Sequence, residues 1–84
     1  MIKGDVKKQT EQVLKNLTAI IEEANSSMEK VIKTTIYLKN MSDFPIVNEI
    51  YSQFFQKNKP ARSTIEVAKL PKDALIEIDL IAGI

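Results

Sequence analysis

The sequence predicts a mixed α/β (α+β) domain in which two helices cover one face of a three-stranded sheet. Two observations predict this fold class. Apolar residues recur at steps of three and four in two segments, which is the period of a helix, and they alternate with polar residues in three others, which is the period of a strand. The predicted order is helix, strand, helix, strand, strand, and 84 residues allow one domain, spanning 1–84.

The first helix is predicted over roughly 5–25, with Asp5 as its N-cap. Its apolar stripe consists of Val6, Thr10, Val13, Leu14, Leu17, Ile20, Ile21 and Ala24. The period then changes to two between Lys30 and Lys39, where β-branched residues favour a strand. One side of that strand is predicted to carry Ile32, Thr34, Ile36 and Leu38.

A second, aromatic-rich helix is predicted after Asn40, with Ser42 or Asp43 as its N-cap and Pro45 in its first turn. The helical spacing predicts core positions for Tyr51, Phe54 and Phe55. The stripe also includes Phe44, Ile46, Val47 and Ile50. Asn58-Lys59-Pro60 ends the helix.

The last two strands, 62–67 and 75–82, are predicted to pair as a hairpin through the turn Leu70-Pro71-Lys72-Asp73. Alternation then assigns four polar side chains to the sheet face that the helices leave uncovered. The simplest register sets Thr64 beside Glu77 and Arg62 beside Asp79.

Arg62 is the one arginine among 12 basic residues, and the residues alone leave two interpretations of it open. A guanidinium can hold a carboxylate or phosphate through two parallel hydrogen bonds, which a lysine cannot do. Beside a hydroxyl and two carboxylates, it could bind a small anionic molecule while an acid positions water. The alternative is a cross-strand ion pair with Asp79, which the pattern alone favours because structural ion pairs outnumber sites.

Composition excludes several classes of chemistry. The sequence has no Cys and no His, which excludes thiol nucleophiles, a Ser-His-Asp triad and an ordinary zinc site. A net charge of +1 does not indicate a nucleic-acid or membrane partner, and two glycines do not make a phosphate-binding loop. The N-terminal residues lack the apolar stretch of a signal peptide, so a cytoplasmic location is expected.

Eight segments stand in an order and spacing that match a known family: 9–17, 31–38, 43–44, 47–51, 54–55, 60–64, 67–74 and 76–78. They resemble the Rid family of reactive enamine/imine deaminases, also described as L-PSP endoribonucleases or translation inhibitors. The resemblance implies a chorismate-mutase-like protomer, a homotrimer with ligand clefts between subunits, and no metal or organic cofactor. It also implies strands before the first helix, so 1–84 is expected to be an N-terminally truncated domain.

The resemblance further implies roles for individual residues. Arg62 corresponds to the arginine that holds the substrate carboxylate, and Glu77 corresponds to the acid that orients the attacking water. Thr64 and Asn48 correspond to positions near the substrate. These correspondences favour the site interpretation of Arg62 over the ion pair.

The leading functional hypothesis is hydrolysis of reactive 2-imino or enamino acids to 2-keto acids and ammonia, as by a 2-iminobutanoate/2-iminopropanoate deaminase. Two alternatives stay open: a non-catalytic trimeric module that binds a carboxylate metabolite, and a ribonuclease or translation inhibitor. The net charge of +1 and the lack of His argue against RNA cleavage. The expected partners are a small 2-imino or 2-keto acid and further copies of this chain, with neither nucleic acid nor membrane.

Overall fold

Two helices lie on one face of a three-stranded sheet in the computed structural model, which describes residues 5–83. The elements are α1 (Val6–Glu23), β1 (Val31–Leu38), α2 (Phe44–Phe54), β2 (Ala61–Glu66) and β3 (Ile76–Ala82). The predicted element order and fold class are therefore confirmed. Within the described range, neither helix is long and apolar enough to cross a membrane.

Both ends of α1 follow from local chemistry. The Asp5 side chain accepts a hydrogen bond from the backbone N–H of Lys7 at 2.9 Å, which confirms it as the N-cap. At the other end, Asn25 has φ 64°, and the N–H of Ser26 donates to the carbonyl of Ile21 at 3.0 Å. This is a Schellman arrangement, and asparagine tolerates its left-handed residue better than most side chains do.

The sheet order is β2-β1-β3, with β1 parallel to β2 and antiparallel to β3. The predicted hairpin between the last two strands is therefore wrong, because β1 lies between them. The parallel pair is the result of α2 crossing over between β1 and β2, as in a β-α-β unit. The connection to β3 is not a tight turn, since it buries Leu70 and Ala74 in the core.

The register decides which side chains share a face of the sheet. Thr34 pairs with Arg62, and Tyr37 pairs with Glu77. Paired residues point to the same side and consecutive residues to opposite sides, so these two pairs occupy opposite faces. The side against the helices, here called the helix face, carries Thr34, Ile36, Leu38, Arg62, Thr64, Glu66, Ile76, Ile78 and Leu80. The other side, here called the open face, carries Lys33, Thr35, Tyr37, Ala61, Ser63, Ile65, Glu77, Asp79 and Ile81.

A register irregularity at the start of β1 reverses the predicted alternation there. Val31 is 2% exposed and Ile32 is 62% exposed, although Ile32 was expected on the side of Thr34. The pairing of β1 with β3 shifts between Val31 and Lys33, and the extra residue there turns the strand over. The period-two pattern of the sequence cannot show such an insertion.

The core lies between the helices and the helix face, and the end of α2 contributes Tyr51 and Phe55 to it. Phe55 is buried and stacks on Tyr51 with ring centroids 4.6 Å apart, whereas Phe54 is half-buried at the margin. Phe55 follows Tyr51 by four residues and its backbone N–H donates to the Tyr51 carbonyl at 3.3 Å, so its ring shares the inward side of the helix with Tyr51. The predicted core positions of Tyr51 and Phe55 are therefore confirmed, whereas Phe54 packs against the core only in part.

One buried polar side chain, which the apolar pattern of the sequence does not reveal, connects α1 to the start of β3. Gln9 is 1% exposed, and its Oε1 accepts a hydrogen bond from the backbone N–H of Leu75 at 2.8 Å. This satisfies a backbone donor just before β3 that would otherwise be unpaired in the interior. This hydrogen bond therefore fixes the position of the start of β3 relative to α1.

Candidate functional site

The candidate site forms where one face of α2 meets the outer strand β2. Phe44, Asn48 and Tyr51 stand at positions i, i+4 and i+7 of the helix, so they share one face of it. Parallel pairing with β1 places β2 beside that face and brings Arg62 to it. The topology, and not sequence proximity, therefore assembles the site.

Arg62 is held by two aromatic rings and an amide. Its guanidinium carbon lies 5.2 Å from the ring centroid of Phe44 and 5.0 Å from that of Tyr51. Its Nη1 donates a hydrogen bond to Oδ1 of Asn48. Cation–π contacts at exposed sites contribute about 0.5–1 kcal/mol each. These contacts restrict the guanidinium to one place although the residue is exposed.

Tyr51 is itself fixed from the side of the core. It is 5% exposed, and its hydroxyl forms a buried hydrogen bond with Oγ1 of Thr34 at 2.8 Å. Thr34 is also the partner of Arg62 across the β1–β2 ladder. The ring under the guanidinium is thus tied to the strand beside Arg62, which makes a rigid arginine seat consisting of Phe44, Asn48 and Tyr51.

The guanidinium keeps donors available for an anion. Arginine has five N–H donors, and the bond to Asn48 uses one nitrogen. The one ion pair among residues 5–83 joins Lys57 to Glu29 at 3.7 Å. The predicted alternative of an Arg62–Asp79 ion pair is wrong, because Asp79 lies on the open face. Arg62 therefore has no acidic partner among the described residues, and its free N–H groups can donate hydrogen bonds to the carboxylate of a bound molecule.

A cavity of about 680 Å³ opens beside the arginine seat. Its size is within the range of small-molecule sites. Its lining contains two cations, Arg62 and Lys59, and no carboxylate. The remaining lining residues are Asn48, Tyr51, Ser52, Phe55, Gln56 and Pro60.

The other predicted site residues divide between the two faces. Thr64 is half-buried on the helix face, two residues along β2 from Arg62. Glu77 is exposed on the open face, as the partner of Tyr37. The structure brings Asn48 and Arg62 together, puts Thr64 on their face and separates Glu77 from them. The predicted common face for Arg62 and Glu77 is therefore wrong within one chain.

A second polar cluster lies on the open face around Tyr37. Its hydroxyl donates a hydrogen bond to Oδ2 of Asp79 at 3.1 Å. That hydrogen bond raises the pKa of Tyr37 above its ordinary value of 10.0, with smaller contributions from desolvation and from the charges of Asp79 and Glu77. The phenol therefore stays neutral and serves as a donor beside Glu77.

The roles of Phe44 and Tyr51 are not apparent from the sequence. Helical spacing places both in the apolar stripe of α2 and predicts a core position for Tyr51, which is indeed buried. The available signal was the i, i+4, i+7 spacing of Phe44, Asn48 and Tyr51, which puts an amide between two rings on one helix face. The spacing alone does not reveal that a cation fills the gap, because that depends on the position of β2.

Comparison with known proteins gives consistent matches over the whole chain. A family model described as Endoribonuclease L-PSP matches residues 1–84. A RutC family protein of Pyrococcus horikoshii is 55% identical over 82 residues, which cover 98% of this chain and 65% of that protein. A protein of Dermatophagoides farinae named 2-iminobutanoate/2-iminopropanoate deaminase is 39% identical over 84 residues, covering 100% of this chain and 66% of that protein.

A solved structure gives the same result in three dimensions. The Rid family protein YyfA of Yersinia pestis matches with a TM-score of 0.98 at 46% identity, covering 100% of this chain and 68% of that one. The chain spans about 65% of the length of the Pyrococcus relative. The similarity therefore covers all of this chain and about two thirds of each of these proteins.

Proposed function

Because the chain belongs to the endoribonuclease L-PSP family, with Rid proteins among its relatives, we propose that it hydrolyses reactive 2-imino or enamino acids to 2-keto acids and ammonia. Its fold is the chorismate-mutase-like fold of that family. The family includes a protein named as a 2-iminobutanoate/2-iminopropanoate deaminase. The observation that carries the proposal is the arginine seat, because it holds an exposed guanidinium ready for a carboxylate.

In this proposal Arg62 binds the carboxylate that every 2-imino acid has next to its reactive carbon. A bidentate arginine fixes both the position and the orientation of that carboxylate. Asn48 restrains the guanidinium, and Thr64 lies on the same face two residues away. The imine carbon is then held at a defined place relative to the protein, which is the main requirement for a reaction with an already electrophilic substrate.

The water would be oriented by Glu77 of a neighbouring subunit. Arg62 and Glu77 lie on opposite faces of one sheet, so a site that uses both residues needs two chains. The open face also exposes Ile65 at 45% and Ile81 at 57%, which favours its association with another copy. We propose a homotrimer, in which each cleft combines the arginine seat of one subunit with Glu77 of the next.

The chemistry needs one addition and one elimination. Water forms a C–O bond to the imine carbon, the π electrons move to nitrogen, and the water proton passes to the Glu77 carboxylate. Glu77 returns that proton to nitrogen, which gives a carbinolamine. Glu77 then takes the proton of the carbinol hydroxyl and passes it to nitrogen; the O–H electron pair forms the C=O bond, the C–N bond breaks, and ammonia leaves with the keto acid as the other product. Arg62 stays bound to the substrate carboxylate throughout and balances the negative charge nearby.

The test is an assay in which an amino-acid dehydratase releases the imine and keto acid and ammonia are measured. We expect a rate above the spontaneous hydrolysis for the wild-type chain. Arg62→Lys keeps the charge but cannot form two parallel hydrogen bonds to a carboxylate, so it should weaken both binding and turnover. Glu77→Gln keeps the shape and loses the proton acceptor, so it should lower turnover more than binding. A wild-type rate equal to the spontaneous rate would contradict the proposal.

A second candidate function is a trimeric module that binds a carboxylate metabolite without turnover. The observation that favours it is that the arginine seat is complete within one chain, whereas Glu77 is not part of it. Binding of a 2-keto acid by a preparation that never exceeds the spontaneous rate would support this module. Binding and turnover are therefore measured on the same sample.

RNA cleavage, which the family's description names, is not favoured by these residues. The net charge is +1, and the chain has no histidine for acid–base catalysis at neutral pH. We expect added RNA to be neither cut nor bound tightly at physiological salt. Cleavage that is lost in Arg62→Lys would instead assign a ribonuclease activity to the arginine seat.

A further inference from the structure

The cavity beside the arginine seat carries more positive charge than one carboxylate balances. Arg62 and Lys59 both line it, and none of its lining residues is acidic. The neutral lining includes the amides of Asn48 and Gln56 and the hydroxyl of Ser52, all of which can donate hydrogen bonds to an anion. The lining therefore presents two cations and several neutral donors to a bound molecule.

Lys59 is placed differently from the nearest lysine in the chain. Lys57 pairs with Glu29 at 3.7 Å and does not line the cavity. Lys59 forms no ion pair among the described residues and lies directly before Pro60, which favours extended backbone at this position. Two neighbouring lysines of one loop thus differ in that only Lys59 is available to a ligand of the cavity.

The volume of the cavity also exceeds what the smallest imino acids need. About 680 Å³ are accessible beside Arg62 in one chain, where the cleft is open on one side. A substrate held at Arg62 by its carboxylate therefore has room for a longer side chain that extends along the cavity. The group best suited to the second cation is another acidic one.

We propose that this site prefers 2-imino acids that carry a second acidic group, with Arg62 on the carboxylate next to the imine and Lys59 on the distal acid. This specificity rests on the proposed function and adds a residue to it. Lys59 acts as a specificity-determining residue and takes no part in the addition of water. Its contribution is attraction between opposite charges at a partly open site, so it should be moderate and salt-dependent.

The test uses stable 2-keto acids as product analogues and measures their dissociation constants by calorimetry at about 0.15 M salt, where exposed charges farther apart than about 8 Å are screened. 2-Oxoglutarate carries the distal acid, and 2-oxohexanoate is a monoanion of similar length. We expect the wild type to bind 2-oxoglutarate about fivefold more tightly, the upper part of the range for one exposed ion pair. Lys59→Gln should bring the two constants within about twofold, and Lys59→Arg should retain the preference.

Lys57→Gln is the matched control, since it removes the same charge from the same loop and should leave the ratio unchanged. Equal binding of the two keto acids by the wild type would overturn the proposal, as would a preference that survives Lys59→Gln or that Lys57→Gln also removes. Arg62→Lys should weaken both ligands together. Turnover of a monoanionic imine is measured separately, so a failed preference with normal turnover contradicts only the role of Lys59.

Discussion

At the scale of single residues, the candidate site depends on how one guanidinium is held. Arg62 is exposed, but two rings and one amide restrict it, and the ring of Tyr51 is fixed by a buried hydrogen bond. An exposed arginine without such contacts would lose side-chain entropy on binding a carboxylate. The arginine seat already restricts the Arg62 side chain in the folded protein, so less side-chain entropy is lost when a carboxylate binds.

The first prediction separates the ring of Tyr51 from its hydroxyl. Tyr51→Phe keeps the ring under Arg62 and leaves the Thr34 hydroxyl without its buried partner. We expect the free energy of unfolding to fall by about 1–3 kcal/mol, while the affinity for a 2-keto acid stays within about twofold. Tyr51→Leu should weaken the affinity as well. Chemical denaturation and calorimetry measure the two effects, and a large loss of affinity in Tyr51→Phe would contradict the ring's role.

The second prediction concerns the titration of Tyr37. Its hydrogen bond to Asp79 raises its pKa above 10.0, so the folded state favours the neutral phenol. The associated stability is fully present below the ordinary pKa of tyrosine and is lost as the pH rises through the raised value. Absorbance of the phenolate should show this titration disappearing in Tyr37→Phe and moving to lower pH in Asp79→Asn. A wild-type Tyr37 that titrates at or below the ordinary value of 10.0 would contradict the raised pKa.

Sequence reasoning found some of these residues and missed others for a physical reason. Arg62 and Asn48 were identified as candidates, and the structure brings them into contact. Phe44 and Tyr51 are recognisable in the sequence only as members of an apolar stripe, because helical spacing does not show which element packs against that stripe. Their contact with a cation exists only because β2 pairs beside β1, which is a long-range property.

At the scale of elements, the chain's local signals predicted the helices and strands well and their pairing poorly. Caps and periodicity are local, so the start of α1 at Asp5 was predicted correctly. The hairpin was not, because the segment after β2 looks like a turn in sequence but buries Leu70 and Ala74 in the core. Burial of these side chains, and not turn propensity, directs β3 to the far side of β1.

The third prediction tests the end of α2. Phe55 is 4% exposed and stacks on Tyr51, so Phe55→Ala should reduce the free energy of unfolding by about 3–5 kcal/mol. Phe54 is half-buried, and Phe54→Ala should cost clearly less. Urea denaturation compares the two variants. A larger loss for Phe54→Ala would show that the ring at 54, and not the ring at 55, occupies the core.

The fourth prediction tests the end of α1. Asn25 has φ 64°, a conformation that is costly for a side chain with a Cβ unless it is short and polar. Asn25→Ala should lower the melting temperature, with a loss of about 0.5–1 kcal/mol, and Asn25→Gly should be neutral or slightly stabilising. Equal stability of the two variants would contradict the left-handed conformation at this residue.

At the scale of the whole molecule, the open face is a sheet surface that neither helix covers, although it carries apolar side chains. It carries Tyr37 and Glu77 together with the exposed side chains of Ile65 and Ile81. Association through this face would cover the isoleucines and would set Glu77 of one subunit near the arginine seat of another. The residues of one proposed site would then come from both faces of the sheet, which explains why alternation within one chain could not assemble them.

The central claim is that Arg62 and Glu77 serve one site from two different subunits, and mixing inactive variants tests it most directly. Arg62→Lys and Glu77→Gln chains are unfolded together, refolded in equal amounts and assayed for imine hydrolysis, with mass spectrometry to identify mixed particles. Random assembly should restore about a quarter of the wild-type sites, because those clefts receive both native residues. Mixed particles that are no more active than the separate variants would contradict the claim.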